Sequence, residues 1–555
     1  MHAHSPRTRH RSRHRTFFAL VTAGAAVLAL PLSGCAPAAS PASDSTIAIV
    51  TGDVPNQDAI ALPGEPDELI DRAVASLPAM AKAALERSGV PGMAIAVVHG
   101  DRVVFAEGYG VREAGGSDPV TADTVFQVAS VSKPLSATGV AAAIGRSDGA
   151  LGWDTPIHEL LPNFAFSDAL VTENATVGDA FSHRTGLGTG AGDDLEDLGF
   201  DRATILERLR LQPLDTFRSS YHYSNFGLTV GAEAVAASRG ESWQQLMSEL
   251  VFEPLGMTST STLHDDYLGR ADRAVLHAFE DGAFVAKYDR DPDPEAPAGG
   301  VSSSVNDLAK WLRLLLAGGE FDGAQLVDQA ALAQAMTPQV VSGTGPGLDG
   351  RPSHYGFGFN ASPQVGGRMA ISHSGAFVLG AATNFQVVPS LDLGIVVLTN
   401  GAPVGLPEAV TATFLDEVQY GASARDWVSD AAGFFAGYTV PTGDLVGETR
   451  PGNADAPPAA AALVGTYDNA YFGELRVEET EAGPVARLGA GLGTELALEP
   501  WNGAVFAYEP SSESAPWGSV ASATFGFDGG DATKASTLKL SSFDDFGLAT
   551  WTRRD

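Results

Sequence analysis

The sequence predicts an α/β protein of the α+β type: an antiparallel sheet flanked by helices, a helical subdomain, and a small β-barrel at the C-terminal end. Three observations lead there. Strand patterns stand at two places far apart, residues 94–106 and 381–398, and the chain between them is mostly helical to about residue 320, punctuated by Gly and Pro loops. Strands from both ends that bracket helices build one antiparallel sheet with helices packed on it. Beyond residue 460 the pattern changes to short alternating segments with Gly turns and frequent aromatics, which suits a small barrel or sandwich.

In chain order, residues 1–34 read as an export signal. Arg7, Arg9, Arg11, Arg13 and Arg15 make a basic start, residues 17–30 are apolar but too short for a comfortable membrane span, and Leu32-Ser33-Gly34-Cys35 follows at once. That tetrapeptide resembles the lipobox of bacterial lipoproteins, which implies lipidation of Cys35 and an exported protein held on the extracytoplasmic face of the cell membrane. Residues 35–65, rich in Ala, Pro, Ser, Asp and Gly, read as a flexible tether. A main domain is expected over 66–425. It begins with a helix at 68–87 and a hairpin whose strands, 94–98 and 103–106, are joined at Gly100-Asp101. It closes with strands 381–388 and 393–398 around Pro389-Ser390. A helix and a Pro/Gly/Asp-rich linker then fill 426–460, and the barrel occupies 461–555.

The net charge of −33 deepens once the signal is removed, because that segment carries five arginines and no acid. So acidic a chain is a poor partner for nucleic acid. Cys35 is the only cysteine, so no disulfide framework is possible, and no His-Glu-x-x-His or clustered Cys/His pattern points to a metal or other cofactor.

The chemistry concentrates in Ser130-Val131-Ser132-Lys133. On a helix, residues i and i+3 share a face, so Lys133 can hydrogen-bond Ser130 and, if desolvated, accept its proton. Residues 126–129 lead in as a strand and the Ala-rich run after Leu135 reads as helix, which places Ser130 near a helix N-terminus. Ser536-Thr537-Leu538-Lys539 has the same spacing but lies in an alternating strand pattern, where i and i+3 point to opposite faces. Tyr223-Ser224-Asn225 precedes a helical run: a phenol beside an amine can relay protons, and an amide can orient the lysine and a substrate carbonyl. Tyr467-Asp468-Asn469 repeats the spacing and reads as a turn after a strand. His373-Ser374-Gly375-Ala376 reads as a strand near the centre of the sheet, with Gly375 letting a ligand lie against the backbone.

Taken in order, Ser130-x-x-Lys133, Tyr223-x-Asn225 and His373-x-Gly375 resemble the active-site signature of the class C β-lactamase-like serine hydrolases, which include penicillin-binding proteins, D-aminopeptidases and esterases. Ser182-His183-Arg184-Thr185-Gly186-Leu187, Glu253-Pro254-Leu255-Gly256-Met257 and Ala298-Gly299-Gly300-Val301 with Asp307-Leu308 resemble the loops of the same family. The resemblance implies a β-lactamase/transpeptidase-like fold with Ser130 as acylated nucleophile, Lys133 as its base and Tyr223 as proton relay. It further implies that Asn225 positions Lys133 and the substrate, that His373 bonds the relay or the substrate, and that Gly375 adjoins the substrate. The backbone N–H groups of Ser130 and Ala376 would form the oxyanion hole. Leu463-Val464-Gly465-Thr466-Tyr467, Phe472-Gly473-Glu474-Leu475-Arg476-Val477 and Trp501-Asn502-Gly503-Ala504-Val505-Phe506 resemble a lipocalin-like barrel domain appended to many of these hydrolases.

One departure matters. Many relatives carry a lysine where this chain has His373, and a neutral imidazole is a poorer anchor for a substrate carboxylate. Arg184, Arg351 or Arg368 could supply the charge from elsewhere. The acidic run Asp193-Asp194-Leu195-Glu196-Asp197 reads first as a solvated turn and second as a source of negative potential near the cleft. The expected protein is an exported, lipid-anchored serine hydrolase of small ester, amide or peptide substrates. A β-lactamase, DD-peptidase or D-aminopeptidase is the alternative within its class, and a catalytically silent envelope-binding protein the alternative outside it.

Overall fold

The computed structural model describes residues 60–554 apart from 346, 348, 349, 365, 424, 511 and 528–532. The signal, Cys35 and most of the tether lie outside the described residues. Among the described residues no helix is long and apolar enough to cross a membrane.

Helix α1 (Pro66–Ser88) starts with Pro at its first turn and ends on Gly89, whose φ of 74° lets its N–H close back on the Leu85 carbonyl. The hairpin follows as β1 (Gly92–His99) and β2 (Arg102–Gly110), and the remaining strands of the main sheet are β3 (Val340–Gly343), β4 (Ser353–Tyr355), β5 (Asn360–Pro363), β6 (Met369–Phe377), β7 (Ala381–Val388) and β8 (Leu393–Thr399). The sheet is antiparallel, in the order β2-β1-β8-β7-β6-β5-β4-β3, so β1 pairs β8 with Ala96 opposite Val396. Both ends of the domain therefore meet in one sheet, as the sequence predicts, while the short strands β3 to β5 carry no comparable signal.

Unbroken apolar runs in β1 and β8 reflect burial on both faces. Ala94, Ala96 and Val98 join one core with the helices α2 (Ser132–Gly145), α4 (Asn225–Arg239) and α6 (Val305–Leu316), which lie in chain order around α3 (Asp193–Asp197) and α5 (Ala296–Gly299). Met93, Ile95 and Val97 join a second core with α1 and α7 (Leu406–Tyr420).

After α8 (Trp427–Phe435), the chain enters a nine-stranded, nearly closed, barrel-shaped antiparallel sheet: β9 (Gly465–Asn469), β10 (Gly473–Thr480), β11 (Gly483–Leu488), β12 (Thr494–Ala497), β13 (Glu499–Asn502), β14 (Val505–Tyr508), β15 (Ala521–Gly526), β16 (Thr537–Leu540) and β17 (Thr550–Arg553). Its order is β12-β11-β10-β9-β17-β16-β15-β14-β13. The expected linker is pinned to it: the Asp444 carboxylate accepts from Ser522 N at 2.8 Å and from Ser541 Oγ at 2.7 Å. The barrel core, with Tyr467, Leu475 and Trp551, is continuous with Leu195 of α3 and Phe226 and Val230 of α4. Apolar burial thus fixes the barrel against the helical side of the first domain.

Candidate active site

Ser130 sits where the two-residue strand Phe126–Gln127 gives way to a 3₁₀ turn, Ala129–Val131, and then to α2. Ala129 adopts φ 48°, a left-handed conformation that costs a non-glycine residue about 1 kcal/mol or more and turns the chain sharply just before the serine. One helical turn on, Lys133 is completely buried, and its Nζ has three partners: Ser130 Oγ at 2.9 Å, Asn225 Oδ1 at 2.7 Å and the Ala298 carbonyl at 3.0 Å. The Ala298-Gly299-Gly300-Val301 segment is thus part of the site, and Val301 N also donates to Ser132 Oγ at 2.9 Å.

Ser224 caps α4, accepting from Gly227 N at 3.0 Å, so Tyr223 and Asn225 leave the chain on either side of a fixed helix start. Ser224 N in turn donates to His183 Nδ1 at 3.2 Å, and the His183 ring lies 4.6 Å from that of Tyr223. This gives the Ser182–Leu187 loop its role. Lys133 Nζ lies 4.5 Å from the centre of the Tyr223 ring, and the Tyr223 phenol faces Ser130.

His373 lies on β6, central in the sheet as expected, but its nitrogens are spent on Tyr355 Oη at 2.8 Å and the Ser374 carbonyl at 2.6 Å. It does not bond Tyr223; the two rings are 6.2 Å apart. Gly375 presses against the Ala129–Val131 turn, since a Cβ there would come within 3.0 Å of Ser130 N. The serine, Tyr223, Asn225, His373 and Ala376 all face one cavity of about 570 Å³.

Burial sets the electrostatics. Desolvation pulls Lys133 down to about 8, although the carboxyls of Glu295, Asp193 and Glu196 act the other way. Tyr223 is pushed well above its ordinary range by burial and stays a neutral phenol. His373 is driven down to about 3 by burial and by Lys133, so it is a neutral imidazole. Among the described residues, no group of three or more His, Cys, Asp or Glu side chains is arranged to hold a metal ion.

Several lining residues are not legible in the sequence. The acidic run is not a solvated turn: it forms α3, Glu196 is buried, and Asp193, Glu196 and Asp197 line the cavity. Arg290 pairs with Glu196 at 2.5 Å and Glu295 at 2.9 Å on the same wall. The cationic side chain in this wall is therefore Arg290, whereas Arg184 is paired with Asp179 at 2.6 Å and Arg368 bonds the Ile60 carbonyl at 2.9 Å. Glu513 reaches in from the β14–β15 connection of the barrel, its carboxylate accepting from the backbone N–H groups of Val378 and Leu379. Phe435 and Tyr438, beyond the main domain, complete the same wall. The C-terminal domain thus walls the cleft. Ser536 and Lys539, by contrast, belong to the barrel: Ser536 Oγ donates to the Gly526 carbonyl at 3.2 Å and Lys539 pairs with Asp544 at 2.5 Å. Asn469 closes a turn after β9, accepting from Tyr471 N and Phe472 N at 2.8 Å each.

A family model described as Beta-lactamase matches residues 70–420. The chain is 31% identical over 323 residues to a penicillin-binding protein 4 of Amycolatopsis lactamdurans, covering 56% of this chain and 81% of that protein. To an esterase of Burkholderia gladioli it is 28% identical over 378 residues, 60% of this chain and 91% of that one. To an unguisins hydrolase of Aspergillus campestris it is 27% identical over 332 residues, 58% of this chain but only 60% of the relative's length. In fold it is similar to a penicillin-binding protein homologue from Pyrococcus abyssi, with a TM-score of 0.56 at 18% identity, covering 86% of this chain and all of that one.

Proposed function

Because the chain belongs to the β-lactamase family, a β-lactamase/transpeptidase-like group of serine hydrolases, we propose that it cleaves an ester or amide through an acyl-enzyme on Ser130. The observation that carries this reading is the coordination of Lys133. An uncharged amine has two N–H groups and one lone pair; Asn225 Oδ1 and the Ala298 carbonyl take the two hydrogens, which leaves the lone pair for the Ser130 hydroxyl at 2.9 Å.

In this mechanism Lys133 takes the Ser130 proton as Oγ attacks the substrate carbonyl. The oxyanion is received by the backbone N–H groups of Ser130 and Ala376. The neutral Tyr223 phenol gives its proton to the leaving group and is replenished from the Lys133 ammonium, which restores the amine. Water then enters and attacks the acyl carbonyl, its proton passes to the Tyr223 and Lys133 pair, and that pair returns a proton to Ser130 Oγ as the acid leaves. Asn225 holds Lys133 and the substrate carbonyl, and Gly375 lets the substrate lie along β6.

The neutral His373 offers no charge to a substrate carboxylate, and the guanidinium in the cavity wall, Arg290, is occupied by two glutamates. Uncharged or amine-bearing substrates are therefore favoured over carboxylate-bearing β-lactams. The pattern around Cys35 supports export and lipid anchorage, and a lipocalin-like kinship for the barrel goes with the same reading. A screen of p-nitrophenyl esters, D-aminoacyl amides and nitrocefin, with mass analysis of the trapped intermediate, tests it: acylation must map to Ser130, and clearly faster nitrocefin turnover would overturn the substrate preference.

A further inference from the structure

A fully buried lysine with only neutral neighbours would be a permanently uncharged and feeble base, because a proton-transfer group works best when its affinity for protons lies near the operating pH. The groups that face Lys133 come from several elements. Tyr223, ahead of α4, is a neutral phenol; His183, from the Ser182–Leu187 loop, and His373, from β6, are both kept neutral by burial and by Lys133 itself. The remaining groups are carboxyls: Asp193 and Glu196 of α3, and Glu295 at the start of α5.

Those three differ in what holds them. Among the described residues the Asp193 carboxyl meets only an amide, Asn225 Nδ2 at 3.2 Å, and burial among other acids pushes it well up, toward the protonated form. Burial pushes Glu196 and Glu295 up as well, but these two share a guanidinium that acts against it. Arg290 Nη2 lies 2.5 Å from Glu196 Oε2 and 2.9 Å from Glu295 Oε1, with the three side chains between 3% and 9% exposed. Arg290 is itself fixed, its ring contact with Phe377 of β6 at 5.0 Å and its carbonyl accepting from Gln127 Nε2 at 2.8 Å, three residues ahead of the nucleophile. Glu295 directly precedes α5, the helix whose Ala298 carbonyl receives Lys133, and its carboxyl folds back over that helix: a Cβ on Gly299 would lie 2.7 Å from Oε1. Its Oε2 is buried and has no hydrogen-bond partner among the described residues.

We propose that Glu295, braced by Arg290 and Glu196, is a positioning residue that keeps Lys133 balanced between amine and ammonium, so that it can both take the Ser130 proton and return it. The proposal rests on the acyl-enzyme reading. Arg290 holds the countercharge in a site too dry to keep a lone carboxylate ionised. Glu295 then offsets part of the burial that drives Lys133 down.

The test is the pH dependence of kcat/KM for p-nitrophenyl butyrate on the full chain, beside the pH dependence of Ser130 labelling by a fluorophosphonate. In the wild type the acid limb should fall near 8, the position to which Lys133 is brought. Glu295→Gln should move both limbs down by about one pH unit, raising the rate at pH 6 relative to the plateau about tenfold, while the plateau itself falls because the base is weaker. Glu295→Asp, which keeps the charge, should hold the wild-type limb. A folded Glu295→Gln protein with an unmoved limb would overturn the proposal, and so would an equal shift in both variants. Should Glu295→Gln not fold, Glu196→Gln, which leaves Arg290 on Glu295, must shift the limb in the same direction, and its failure to do so overturns the proposal equally. Labelling that persists in Ser130→Ala is a separate result: it removes the acyl-enzyme reading itself.

Discussion

Gly375→Ala is the sharpest single perturbation of the site, because one methyl would reach the Ser130 backbone without touching a titratable group. The new Cβ would stand 2.3 Å from the Val128 carbonyl oxygen, 2.3 Å from Thr383 Oγ1 and 3.0 Å from Ser130 N. Ordinary carbon–oxygen contacts are no closer than about 3.3 Å, so β6 and the Val128–Ser130 turn must separate by about 1 Å. The displaced groups are the ones between which Thr383 Oγ1 donates to the Val128 carbonyl at 2.7 Å, so that bond is strained as well. A misplacement of about 1 Å at reacting groups costs on the order of a hundredfold in rate, or about 2.7 kcal/mol. Overpacking of this kind costs about 1–3 kcal/mol of stability. The expected outcome is a cooperative but less stable protein whose kcat/KM for p-nitrophenyl butyrate and rate of fluorophosphonate labelling both fall about a hundredfold. Gly433→Ala on α8, where a Cβ meets nothing within 4 Å, is the matched control and should leave activity unchanged. A Gly375→Ala enzyme within threefold of wild type would refute the close packing of β6 on Ser130.

Ser130→Ala should abolish turnover and covalent labelling with the fold intact, Lys133→Ala should lose nearly as much, and the double variant should be little worse than either, since residues acting as one unit are non-additive; Ser536→Ala should do nothing, and damage from it would move the site. His373→Lys should raise the ratio of nitrocefin to ester hydrolysis, roughly tenfold or more if the new ammonium reaches the carboxylate, because a charge-assisted hydrogen bond is worth about 1.5–3 kcal/mol; an unchanged ratio of kcat/KM values would show that the third motif does not select on charge. Cys35→Ser should release or mis-process the protein, since two acyl chains anchor stably where one does not, and finding the wild type soluble in the medium with an unmodified N-terminus would remove the lipoprotein reading.

The parts of the site that were legible are those fixed by local geometry. Ser130 and Lys133 meet because a helical turn brings i to i+3, and Ser224 starts a helix because its side chain caps one, so spacing alone places Tyr223 and Asn225. The double-sided apolar runs of β1 and β8 likewise declare a buried sheet. Strands of three or four residues such as β4 and β5 are too short for a periodicity to show. The acidic run misleads because four acids in five residues normally mean solvent; Glu196 is paired with Arg290, far along the chain, and Leu195 beside it joins the core of the docked barrel. Glu513 and Tyr438 were out of reach for the same reason. Their place depends on how two domains pack, and no local pattern encodes that. Neither does any pattern in β6 disclose that Tyr355 occupies the His373 ring.

The wall that Glu513 contributes has a temporal side. Ser130, Lys133, Tyr223 and His373 are all made before any strand of the barrel, while the segment that closes the cavity follows β14, late in synthesis. At about 5–20 residues per second, the gap between His373 and Glu513 is roughly 7 to 28 seconds of translation. A chain that ends between α7 and β14 carries Ser130, Lys133, Tyr223 and His373 but lacks Glu513 and the wall it contributes. The cavity around Ser130 therefore reaches its full lining only when the chain beyond β14 has been made.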